Sequence, residues 1–129
     1  MRQGATIALA LSIGAPVLTG CGETQASPAL VEGVTVDVVA RDNVFEPEEI
    51  QVAAGTKVHF VNDGRNDHNV IPVDGSRAAV RVDTQYFEPG DEATRHLTHP
   101  GVYAYYCTIH GTATAGMTGS VTVTWGTEE

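Results

Sequence analysis

The chain has 129 residues, a formal charge of −9 and two cysteines. That length holds one domain with a real core and excludes a multidomain enzyme. The negative balance argues against nucleic acid as a partner.

Residues Met1 to Leu18 carry Arg2 and then a mostly apolar run, Ala5 to Leu18, interrupted by Gly14 and Pro16. The run is too short and broken to span a bilayer and reads as a signal peptide over residues 1–20. It ends in Leu18-Thr19-Gly20-Cys21, which resembles a bacterial lipobox. The resemblance implies that Cys21 becomes the lipidated first residue of the mature protein, anchoring it to a membrane surface without crossing it. An ordinary signal peptide with an incidental cysteine is the blander reading. Residues 21–33, with Glu23, Gln25, Ser27 and Pro28, lack periodicity and are expected to form a flexible tether. The domain is therefore placed outside the cytoplasm.

From Val34 onward, short β-branched or aromatic runs alternate with Gly, Pro, Asn and Asp clusters, the pattern of a single all-β sandwich or barrel over residues 34–126. Strands are predicted at Val34–Ala40, Glu49–Ala53, Thr56–Asn62, His68–Val73, Ala93–Thr98, Gly101–Cys107 and Thr118–Trp125. Residues Gly75 to Phe87 fit either a loop with one short helical turn or an edge strand.

Side chains alternate faces along a strand. Val58 and Phe60 then share the inward face of their strand, and His59 points to solvent with Lys57. In Gly101–Cys107 the face that bears Cys107 also bears Tyr103 and Tyr105, while Tyr106 points away. His96, in a polar segment, and His99, before Pro100-Gly101, read as surface histidines. Of the five histidines, His68 and His110 remain.

With Cys21 in the processed region, Cys107 is a lone thiol in an oxidising compartment, where burial or a metal protects it. The stretch from Tyr105 to Met117 brings Cys107, His110 and Met117 together, and His68 is the best source of a second imidazole. Two imidazoles and a thiolate in a plane, with a distant thioether, suit one copper ion cycling between Cu(I) and Cu(II).

Four stretches carry a wider resemblance. They are Val44 to Asn62, Asp67-His68-Asn69-Val70, Pro100 to Cys107, and the loop ending in Gly116-Met117 with Gly119 to Val123 after it. Together they resemble the cupredoxins, near the plastocyanin-like and amicyanin-like proteins of bacteria. The resemblance implies a Greek-key β-sandwich, His68, Cys107 and His110 as equatorial copper ligands and Met117 as the axial one. It also implies that Asn69 braces the metal loop. One departure is the spacing: six residues, Gly111 to Gly116, separate His110 from Met117, more than in either family pattern.

The expected function is single-electron transfer between membrane-associated redox proteins, with no catalytic residues. The cupredoxin resemblance implies that His110 is the exit edge. Tyr106 is either a second route or a plain surface aromatic. The alternative is an extracytoplasmic copper-binding or chaperone protein that exchanges its metal. A monomer is expected. The scattered carboxylates, Glu46, Glu48, Glu49, Asp63, Asp67 and Glu88 among them, serve solubility, and the sharper reading is steering towards a basic docking surface on the partner.

Overall fold

The computed structural model describes residues 28–127. The signal peptide and Cys21 lie outside the described residues. Among the described residues ten strands follow in chain order: β1 (Pro28–Ala29), β2 (Thr35–Ala40), β3 (Phe45–Glu46), β4 (Glu49–Ala53), β5 (Lys57–Asn62), β6 (Ile71–Pro72), β7 (Glu92–His96), β8 (Gly101–Thr112), β9 (Ala115–Thr124) and β10 (Gly126–Thr127). Eight of them make two four-stranded sheets, ordered β3-β2-β5-β7 and β4-β9-β8-β6. Strand β2 runs parallel to β5, and β4 runs parallel to β9.

Alternation along each strand decides what enters the space between the sheets. Val58 and Phe60 on β5 are buried beside exposed Lys57, as are Tyr103, Tyr105 and Cys107 on β8 beside exposed Val102. Val38, Ala40 and Phe45 complete one inner face; Val52, Met117, Val121 and Val123 complete the other. Burying each of the larger apolar side chains contributes about 1.5–3 kcal/mol. Tyr105 is the hub of an aromatic cluster, edge-on to Phe45 at 5.0 Å and to Phe60 at 5.5 Å between ring centroids.

The stretch Gly75 to Phe87 is two 3₁₀ turns, Gly75–Val80 and Thr84–Tyr86. Asp74 caps the first, accepting from the Ser76 amide at 2.9 Å. Between the turns Val82 forms an isolated antiparallel bridge with Val70. The turns deliver Val80, Val82 and Phe87 to the core. This bridge shortens the predicted strand His68–Val73: only Ile71–Pro72 pairs with β8, because Val70 pairs on the other side.

The end of the expected tether is also part of the fold. Pro28 and Ala29 pair with Thr127 and Gly126, and the Val31 amide donates to the Ala54 carbonyl at 2.8 Å. The chain is thus held from residue 28, ahead of Val34, because Ala54 lies at an open strand end with a carbonyl to fill.

Candidate metal centre

Three segments converge at the end of the sandwich where β5 finishes and β8 passes into its hairpin with β9. His68 comes from the connection after β5; its amide donates to the Phe87 carbonyl at 3.1 Å, which ties that connection to the second 3₁₀ turn. Cys107 enters by the inward phase of β8. His110 lies three residues further on, and in a regular strand an odd step faces the opposite side. The β8–β9 ladder shifts register between Tyr106 and Gly111, and this irregularity returns the His110 ring towards the thiol.

The result is compact. The Cys107 sulfur lies 3.7 Å from His68 Nδ1 and 3.8 Å from His110 Nδ1, and the three donor atoms fall within 4.8 Å of one another. His68 and Cys107 are fully buried, and His110 is half-buried. Met117 is buried at the start of β9. On the hairpin ladder Gly111 faces Gly116, and His110 and Met117 are the residues next to that pair on the side of the core.

A metal ion bonded as zinc is, at about 2.3 Å to thiolate sulfur and about 2.0 Å to imidazole nitrogen with roughly 120° between the bonds, would separate sulfur from nitrogen by about 3.7 Å. The two sulfur–nitrogen distances match that requirement. Burial first, and then the neighbouring His110, push the His68 imidazole below its ordinary value, which favours the neutral, metal-binding form. Cys107 is a free thiol in the core. The donor set fits a single soft, redox-active metal ion.

The remaining histidines lie away from the core, as strand phase predicts for His59 and the polar and turn contexts predict for His96 and His99. His59 stands on the outer face of β5 with Nδ1 2.9 Å from Asp37. His96 Nε2 lies 2.9 Å from the Gly55 carbonyl, and His99 Nδ1 lies 3.0 Å from Thr98 Oγ1. None joins the cluster.

Asn69 bridges the segments that carry His68 and Cys107. The Thr108 amide donates to its Oδ1 at 2.8 Å, and its Nδ2 donates to the hydroxyls of Thr108 at 2.7 Å and Thr84 at 3.0 Å. The sequence reading missed Thr108 and Thr84 as partners. A threonine carries no local signal of a bond to a residue 39 positions away.

Two sheets holding a buried thiol between two imidazoles define a mononuclear copper β-sandwich. The sequence model described as "Copper binding proteins, plastocyanin/azurin family" matches residues 33–124. A chloroplastic plastocyanin of Hordeum vulgare is 31% identical over 128 residues, covering 95% of this chain and 77% of that protein. Oxidised plastocyanin from Dryopteris crassirhizoma superposes with a TM-score of 0.57 at 28% identity, covering 69% of this chain and 100% of the other. A reduced amicyanin variant superposes with a TM-score of 0.59 at 26% identity, covering 76% and 92%. The chain belongs to the plastocyanin/azurin family of copper-binding proteins. It is a type 1 copper protein, and its cofactor is one copper ion.

Proposed function

We propose that this protein is a single-electron carrier, and not an enzyme, in which His68, Cys107, His110 and Met117 would hold one copper ion. The observation that carries this reading is the Cys107 thiol, fully buried and flanked by two imidazole nitrogens at 3.7 and 3.8 Å. Copper bound there supplies a Cu(I)/Cu(II) couple.

The chain's own contribution is rigidity and access. Cys107 is set by its place in β8 and by the Asn69–Thr108 bonds beside it, His68 by the Phe87 bond and Met117 by β9, so little needs to move when an electron arrives or leaves. His110 is the one proposed ligand that is not fully buried, which makes its ring the edge open to a partner. Tyr106 is half-buried on the outer face and paired with Ile71, consistent with a second route.

The partners are redox proteins with a basic docking surface. Arg41, Arg65 and Arg81 are each paired with a carboxylate, so the surplus negative charge is left to steer a cation-rich surface. The lipobox-like Leu18-Thr19-Gly20-Cys21 supports a lipid anchor on Cys21 and a working place on the outer face of a membrane. Search for a partner is then confined to that surface.

Visible absorption and EPR during titration with Cu(II), with Cys107→Ser alongside, test the copper assignment. An intense thiolate-to-copper band with narrow hyperfine splitting, absent from the variant, supports it. Pale binding that survives loss of Cys107, or slow and irreversible voltammetry with ready metal exchange, moves the protein to copper handling. Mass spectrometry of the mature N-terminus tests the anchor: a diacylglyceryl mass on Cys21 supports it, and an unmodified start overturns it.

A further inference from the structure

Six residues lie between His110 and Met117, yet they do not form a slack loop. Strand β8 continues to Thr112 and β9 begins at Ala115, so the spacer is an antiparallel hairpin turning at Ala113 and Thr114. Its ladder pairs Thr112 with Ala115 and Gly111 with Gly116.

Neither glycine has room for a side chain. A Cβ on Gly111 would lie 2.6 Å from the Met117 amide nitrogen and 2.9 Å from the Ala115 carbonyl oxygen. A Cβ on Gly116 would lie 2.7 Å from the His110 carbonyl oxygen and 2.9 Å from the Gly111 Cα. All four obstacles are backbone atoms, which cannot swing aside as a flexible side chain can. Gly116 also has φ +82°, a conformation that side chains with a Cβ rarely adopt. Each glycine is thus pressed against the backbone of one proposed ligand, Gly111 against Met117 and Gly116 against His110.

We infer that Gly111 and Gly116 are positioning residues that fix the separation of His110 from Met117 before any metal binds, and through it the reduction potential. The inference rests on the ligand assignment proposed above. Its logic is that of a closed clamp: a longer spacer between two ligands normally loosens them, and here the extra residues pair with each other. Adding a methyl group at the crossing point must part the strands at that level, and His110 and Met117 part with them.

The test has two arms, both on the full chain. In the metal-free protein, proton NMR should show cross-strand contacts between Gly111 and Gly116, since the clamp closes without metal. In the copper-loaded protein, Gly111→Ala should shift the midpoint potential and change the EPR hyperfine splitting, whereas Ala113→Ser at the exposed tip should leave both as in the wild type. Gly111 does not need a left-handed backbone, so its variant reads crowding alone. A Gly111→Ala protein with unchanged potential and EPR overturns the inference. If that variant does not fold, the metal-free wild-type spectrum decides: contacts kept without metal support the clamp, and contacts seen only with metal overturn it. Failure of the ligand assignment has a different signature, the lack of an intense thiolate band in the wild-type protein, whatever the hairpin does.

Discussion

Asn69 and Thr108 hold each other by two hydrogen bonds, the Thr108 amide donating at 2.8 Å and the Asn69 Nδ2 at 2.7 Å. Each follows a proposed ligand directly, so the pair fastens the His68 segment to the Cys107 segment. Asn69→Ala leaves the Thr108 amide without its acceptor in a partly buried place. The metal-free protein should lose about 1–3 kcal/mol in urea unfolding. Copper release, followed by a chelator, should become faster.

Gly119 faces Tyr105 across the β8–β9 ladder, and a Cβ there would lie 2.5 Å from the tyrosine ring. The ring cannot retreat, because Phe45 and Phe60 pack edge-on against it. Gly119→Ala should therefore destabilise the fold by about 1–3 kcal/mol, the usual cost of overpacking. Adding Tyr105→Leu to it should make the alanine better tolerated than in the single variant. Urea midpoints of the four proteins in that cycle check this.

Among the described residues the buried Tyr105 hydroxyl has no hydrogen-bond partner, and burial, followed by the nearby Glu48 charge, holds the phenol far above its ordinary value. In the unfolded chain the same phenol ionises near pH ~10. Above that pH the unfolded state releases a proton that the folded state keeps, so stability falls as pH rises. Tyr105→Phe should flatten this alkaline slope. It should also raise stability at neutral pH by about 1 kcal/mol, since it removes an unpaired polar group. Thermal unfolding from neutral to strongly alkaline pH measures both effects.

Met117→Leu replaces the thioether with a side chain of similar volume, so the fold should lose less than about 1.5 kcal/mol. The intense visible band should persist, because the thiolate remains, while the midpoint potential moves. A potential equal to that of the wild type would remove Met117 from the axis.

Strand phase made much of the centre legible. Period-two alternation separates Cys107 and Tyr105 from Tyr106, and Val58 and Phe60 from His59, and burial follows that division. Short elements escaped it: Phe45–Glu46 is a strand of two residues, too brief to show a period, yet Phe45 is fully buried. The segment Gly75 to Phe87 left two readings open because its apolar residues follow neither a helical nor a strand spacing. The hairpin beyond His110 was the least legible. Thr112-Ala113-Thr114-Ala115 alternates only between threonine and the smallest apolar side chain, and it lacks the glycine or asparagine that marks a tight turn. Its closure depends on Gly111 meeting Gly116, a contact with no local signature.

The pairing of Pro28–Ala29 with Gly126–Thr127 brings the two ends of the described chain together at one pole of the domain. Within strand β9, Met117 and Thr124, the latter just before that pole, are seven steps of about 3.3 Å apart, roughly 23 Å. Anything attached ahead of Pro28 therefore meets the sandwich at the end remote from His110 and leaves that edge free to meet a partner.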